Sequence, residues 1–323
     1  MRIIFLLFIS LLPFPIRRYI YIMMGYKISS NCHFGLFSII DVKKSANFAE
    51  GSYIGPFTYI KADEFYMGKY SKISPFSFII VPKVNIGNDT KISNFVIIRS
   101  GHLTKSSQLF LGDLVHIFPF VMIDTSRKVS IDEEAGIGPH CNIFTHSSYK
   151  SILQGYPVTY GDVSIGKRVE LTYNVFVAPG VTIGDDAICA YGSYVNTDIQ
   201  EGVLAAGLPA KVKRYKEQFV KNLDQKQKLE ILNNIVLEFQ DYIQLFERRP
   251  PFNVIICVSS NEIKIKNNTT YIILKGSTPI NLNFTYAAFN IEEGKCYNFG
   301  INKTDFNALR KFLSRYGIRF LTY

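Results

Sequence analysis

Between residues 36 and 195 a large apolar residue returns in steps of six, a period that belongs neither to a strand, with its period of 2, nor to a helix, with 3.6. The ladder opens at Leu36 and continues through Val42, Phe48, Ile54 and Ile60. It then restarts in triplets: Met67, Ile73, Ile79; Ile86, Ile92, Ile98; Leu111, Ile117, Ile123; Ile131, Ile137, Ile143; Ile165, Leu171, Val177; Ile183, Cys189, Val195. Three steps of six read as one coil of a triangular prism in which each hexapeptide supplies a short flat strand and a corner. The large residue points inward, and a small or β-branched residue four positions on, such as Thr58, Ser71, Thr90, Ala135 or Ser193, fits the corner. Glycine often follows the anchor, as at Gly55, Gly87 and Gly138, and is expected to meet the turn's unusual dihedrals. Each coil covers the apolar residue of its neighbour at the strand spacing of about 4.8 Å, so such units stack as a solenoid.

The last coils, VSIGKRVELTYNVFVAPGVTIGDDAICAYGSYVNTDIQEGVLAAGLPAKVKR from residue 163, resemble the closing coils of hexapeptide-repeat acetyltransferases, including Ala-Gly-Leu-Pro-Ala-Lys at 206–211. The resemblance covers about residues 30–214 and is closest to enzymes that decorate capsular or lipopolysaccharide sugars. It implies an all-β, left-handed parallel β-helix, acetyl-CoA as acyl donor, a homotrimer and no metal. The implied acceptor is a sugar, or a nucleotide- or lipid-linked saccharide.

The ladder breaks where chemistry can sit. Four of the steps between groups are six to eight residues, but Ile98 to Leu111 takes thirteen and Ile143 to Ile165 twenty-two. Both insertions leave from the third corner of their coil, so they protrude along one edge, and loops carried by a rigid scaffold are the usual seat of function. Each holds a histidine, His102 and His146, two coils apart or roughly 10 Å of rise. A sugar hydroxyl attacks a thioester only if a base with a pKa near 7 removes its proton, and imidazole suits that task. The resembled family places its base at the start of such a loop, often in a Thr-His pair, which is matched here by Thr145-His146. Asp124, one coil below, could orient an imidazole or grip a sugar hydroxyl. His102 and His116 are read as structural or acceptor contacts.

By similarity to the family, the pantetheine arm of the coenzyme runs past Tyr173 and Asn174 and then Tyr191 and Gly192, with Lys211 and Arg214 at the phosphates. This chain departs from the pattern at Glu170-Leu171-Thr172-Tyr173, at Tyr191 in place of Ala, and at Thr197 where Lys is frequent. The tyrosines could narrow the groove or stack on the adenine.

Outside the repeat, residues 1–30 open with an apolar run from Ile3 to Leu12, flanked by Arg2 and Arg17-Arg18. The run lacks a small-residue cleavage site and is too short for the ~20 residues of a membrane span. It reads either as an interfacial amphipathic segment, with its arginines at lipid headgroups, or as a helix packed on its own domain. The prism is assigned to 31–214 and a C-terminal α+β extension to 215–323. In that extension Phe219, Leu223, Leu229, Leu232, Val236 and Phe239 have helical spacing, and no motif carries chemistry.

The net charge of +10 favours anionic partners. Lys and Arg are dispersed without a nucleic-acid-binding motif, which points away from nucleic acid. The five cysteines form no CxxC pair, which suits a reducing, cytoplasmic setting, including the inner face of the membrane. Two other readings share the fold: a non-catalytic structural or binding solenoid, and a γ-class carbonic anhydrase-like site drawing on His116, His140 and His146.

Overall fold

The computed structural model describes residues 2–101, 104–147, 150–249, 254–257, 270–273, 286–291 and 294–322. The chain forms two compact units, 1–220 and 221–323. The boundary falls a few residues past Arg214, because the strand Lys211–Tyr215 turns back onto Val203–Ala206 and the chain runs on to Val220 within the first unit.

The first unit is a parallel β-solenoid with three faces. The first face stacks Phe78–Ile80, Ile97–Arg99, Met122–Asp124, Asn142–Ile143, Phe176–Val177 and Tyr194–Val195. The second stacks Lys83–Ile86, Gln108–Leu111, Val129–Ile131, Val163–Ile165 and Thr182–Ile183. The third runs from His33–Phe34 through His116–Ile117 to Val203–Ala206. Two long strands, Ile39–Phe48 and Tyr59–Met67, bend from the first face onto the second, so these two faces form one continuous sheet.

Registers follow the six-residue period. Ile60 pairs with Ile79, Ile79 with Ile98, Ile98 with Ile123 and Ile123 with Ile143, and all five side chains are fully buried. Burying an isoleucine contributes about 2–3 kcal/mol, so the inner columns are the chief source of stability. The expected start of the ladder is out of register. Leu36 is half-exposed at a corner, whereas Phe34, paired with Ile54, and Ile40, paired with Ile60, fill the core.

The expected use of glycine also needs correction. Gly55, Gly87 and Gly138 are absent from the positive-φ residues; that conformation falls two positions later, on Phe57 (57°), Asp89 (50°) and His140 (59°). The glycines are there because adjacent coils nearly touch: a Cβ on Gly138 would lie 1.2 Å from the carbonyl oxygen of Thr172. The small corner residues behave as expected. Ser71 and Thr90 are buried, and their hydroxyls donate to the carbonyls of Gly87 and Gly112 at 2.5 and 2.6 Å.

Helices α1 (Arg2–Ser10) and α2 (Phe14–Met23) close the first coil. Proline at 13 and 15 sets the turn and the first helical residues of α2. Leu6, Ile9 and Tyr21 are buried in the solenoid core, and the buried Arg17 donates to the carbonyls of Phe34 and Gly35. Among the described residues no helix is long and apolar enough to cross a membrane.

In the second unit, helix α3 (Gln225–Leu245) is capped by Asp224, whose carboxylate accepts from Gln227 N–H. It packs with helix α4 (Lys303–Leu313) and a five-stranded sheet around Phe239, Phe289, Leu309 and Phe312.

Candidate active site

The corner between the first and second faces carries both insertions. The first leaves after Ile97–Arg99, the second after Asn142–Ile143, and the strand Met122–Asp124 lies between them in the same column. Ladder register therefore puts Asp124 one rung from the second insertion. The short strand His146–Ser147 then pairs antiparallel with Thr159–Tyr160, making the loop's base a hairpin that holds His146 against the solenoid.

His146 Nδ1 lies 2.9 Å from Asp124 Oδ1. A carboxylate can only accept, so the ring nitrogen facing it carries a proton, and in the neutral imidazole Nε2 is then the accepting nitrogen. Asp124 is held from several sides. The Thr145 hydroxyl donates to Oδ1 at 2.7 Å and accepts the Arg127 backbone N–H at 2.9 Å. Ser126 gives its backbone N–H to Oδ1 at 3.1 Å and its hydroxyl to Oδ2 at 3.2 Å. Burial opposes the charge on Asp124, but the hydrogen bonds from His146, Thr145 and Ser126 outweigh it and keep the carboxyl below its ordinary range.

The imidazole is partly open, its side chain 24% exposed against 6% for Asp124. It stacks on Tyr160 with ring centroids 6.0 Å apart, and the Arg127 guanidinium covers that tyrosine at 4.4 Å. From the other insertion Gly101 comes so close that a Cβ there would meet His146 Cε1 at 4.0 Å. A fixed acceptor, an oriented imidazole and a solvent-facing edge make an arrangement suited to moving a proton.

Asp124 and His146, singled out separately in the sequence, thus form one unit. Ser126 and Tyr160 were not anticipated; Asp-Thr-Ser at the end of a coil, where Asp can bond the backbone two residues on, was the available signal for Ser126. His102 lies outside the described residues. His116 sits on the third face, with Nε2 3.1 Å from Ser93 Oγ and its ring 3.8 Å from Phe118, and is not brought to His146 within one chain. His140 is at the corner between the third and first faces, between Phe120 and Tyr173. The three imidazoles imagined as metal ligands are therefore spread over the prism, and no cluster of three His, Cys, Asp or Glu fit for a metal occurs among the described residues.

Tyr173 and Tyr191 stack at 5.5 Å on the corner that carries His140, where Asn174 and Gly192 take positive φ. Lys211 and Arg214 are exposed on the terminal antiparallel strand. Within one chain, the first face separates this corner from His146. Burial raises the thiols of Cys141 and Cys189 to about 11 and about 12, which leaves both unfit to act as nucleophiles.

No family model matches the chain. Galactoside O-acetyltransferase of Escherichia coli is 44% identical over 112 residues, 32% of this chain and 55% of that protein. A Saccharomyces cerevisiae protein provisionally named an acetyltransferase, YJL218W, is 34% identical over 38% of this chain and 63% of its own length. The chain thus spans less than two thirds of these relatives. Among solved structures, the polysialic acid O-acetyltransferase OatWY is 17% identical over 65% of this chain and 94% of its own, with a TM-score of 0.40. At that score the structural likeness adds nothing to the sequence similarity.

Proposed function

We propose that the chain transfers an acetyl group from acetyl-CoA to a hydroxyl, or an amine, of a cell-envelope sugar, with His146 as general base. The observation that carries this reading is the Asp124–His146 pair at the base of a protruding loop. Similarity to acetyltransferases supplies the reaction class. Nε2 takes the acceptor proton as oxygen attacks the thioester carbonyl. Asp124 stabilises the imidazolium, which then returns the proton to the departing thiolate. We read transfer as direct, and the buried thiols of Cys141 and Cys189 are poor acyl carriers.

We read the solenoid as left-handed and the assembly as a homotrimer. Two features support the trimer. The residues assigned to coenzyme, Tyr173, Asn174, Tyr191, Gly192, Lys211 and Arg214, are separated from His146 by a whole face, so a groove completed by a neighbouring copy would reunite donor and base. That corner and face are also apolar outside: Phe57, Phe76, Phe95 and Phe120 stack in sequence with centroids 5.0–5.3 Å apart, each 42–51% exposed. The N-terminal helices are read as contacting the inner membrane face.

The test is free-thiol release on mixing the purified protein with acetyl-CoA and candidate envelope saccharides. His146→Ala should lower turnover by roughly 10²- to 10⁴-fold with coenzyme affinity unchanged. Near-normal turnover in that variant would move the base elsewhere.

A further inference from the structure

The edge that carries His146 continues toward the N-terminal cap as a basic groove. It is lined by Lys43, Lys44, Lys61, Lys83 and Lys105, against which stand only Asp63 and Glu64. The groove exists because Ile39–Phe48 and Tyr59–Met67 bend there from the first face to the second, while the first insertion, through Thr104 and Lys105, forms its far wall. Both carboxylates are only loosely engaged: Lys43 Nζ is 3.9 Å from Asp63 and Lys83 Nζ 3.7 Å from Glu64, distances at which exposed ion pairs contribute little. The surplus of positive charge therefore faces solvent.

Strand register ties this groove to the candidate base. Lys61 pairs with Ile80, Ile80 with Arg99, and Arg99 with Asp124. The Lys61 backbone is thus three rungs, roughly 14 Å, from that of Asp124 along one column. The exposed Arg99 occupies the rung directly below Asp124.

Building on the acetyl-transfer reading, we infer that the acceptor is an anionic saccharide that lies along this edge, its carboxylate or phosphate groups among Lys44, Lys61, Lys105 and Arg99 and its reacting hydroxyl at His146. A neutral sugar would need hydrogen-bonding side chains and stacking faces along the track, whereas the groove offers mainly ammonium groups. Several weak charge contacts spaced along a groove raise the local concentration of a polyanion and fix its direction without enclosing it.

The experiment is a calorimetric titration of the full-length protein, without acetyl-CoA, with four probes. They are oligogalacturonate for sugar carboxylates, UDP-N-acetylglucosamine for a sugar pyrophosphate, a neutral maltooligosaccharide and a single-stranded oligodeoxynucleotide of matched charge. One anionic saccharide should bind, weaken as salt rises, and lose roughly tenfold or more in affinity in Lys61→Glu/Lys105→Glu. Whichever binds identifies the anion. Lys61→Gln/Lys105→Gln should lose less than the charge reversal. The inference falls if neutral and anionic saccharides bind alike, if none binds, if the reversal changes nothing, or if DNA binds more tightly than every saccharide. Because binding is read without turnover, anion binding without thiol release would overturn the acetyl-transfer reading while leaving the groove's preference standing.

Discussion

At the scale of residues, the decisive contact is the one between His146 and Asp124, and its strength depends on how little freedom the carboxylate has. Its oxygens face Thr145, Ser126 and the imidazole at 2.7–3.2 Å, so Asp124 cannot rotate away without leaving buried donors unpaired. Asp124→Asn keeps the shape but replaces an obligate acceptor with an amide that can donate to Nδ1 and so favours the wrong tautomer. Turnover should fall by about 10²- to 10⁴-fold in thiol-release kinetics, with little change in KM for acetyl-CoA. The same carboxyl carries a pH signature. Its folded pKa is lowered, so its contribution to stability is fully present above the ordinary carboxylate range and is lost as pH falls through the lowered folded value. Thermal melts of the parent and Asp124→Asn should therefore differ most near neutrality and converge in acid. A constant gap across pH would show that the carboxylate's charge is not what stabilises the corner.

At the scale of elements, the N-terminal helices do not present their arginines as the sequence suggested. Arg17 is turned inward onto the first coil, and Arg2 pairs with Asp41 at 2.7 Å. Arg18 donates to the Ile28 carbonyl. Their outer surface is instead aliphatic and aromatic: Ile4, Phe8, Leu11, Tyr19 and Met23 are 53–72% exposed, and no acidic residue occurs before Asp41. Contact with a bilayer would thus rest on apolar insertion more than on charge. Phe8→Lys/Leu11→Lys should abolish flotation with vesicles while leaving the melting temperature within a few degrees, since neither side chain is buried; unchanged flotation would make the helices a cap alone. Truncating both helices is the poorer test, because it would uncover Phe34 and strip Arg17 from its carbonyls. The repeat was legible because one inward residue per hexapeptide leaves a period that nothing else produces. Its first step was misplaced because Leu36 keeps the spacing but is half-exposed, while Phe34 and Ile40 take the core beside Val42. The hairpin that positions His146 was not legible, since two-residue strands leave no alternation to read.

At the scale of the whole molecule, the exposed aromatic corner is the feature least compatible with a lone chain. Phe57, Phe76, Phe95 and Phe120 hold φ between 57° and 63°, a conformation that costs a bulky residue about 1–2 kcal/mol and that asparagine adopts more readily. Stacking along the ladder returns part of this, roughly 0.5–1.5 kcal/mol per pair. A partner surface would account for the rest. Phe95→Asn/Phe120→Asn should shift the species seen by sedimentation from trimer to monomer and reduce acetyl transfer with it. A parent that is monomeric and fully active would remove the basis for the trimer.

A stack of parallel coils has no intrinsic length, because each end repeats the hydrogen-bonding pattern that the next coil would satisfy, and an uncovered end is a template for fibre growth. Here the two ends are made unlike their own interior. Arg17 occupies carbonyls at one end, and Lys211–Tyr215 runs antiparallel at the other. The same two closures that complete the fold therefore also stand against head-to-tail polymerisation.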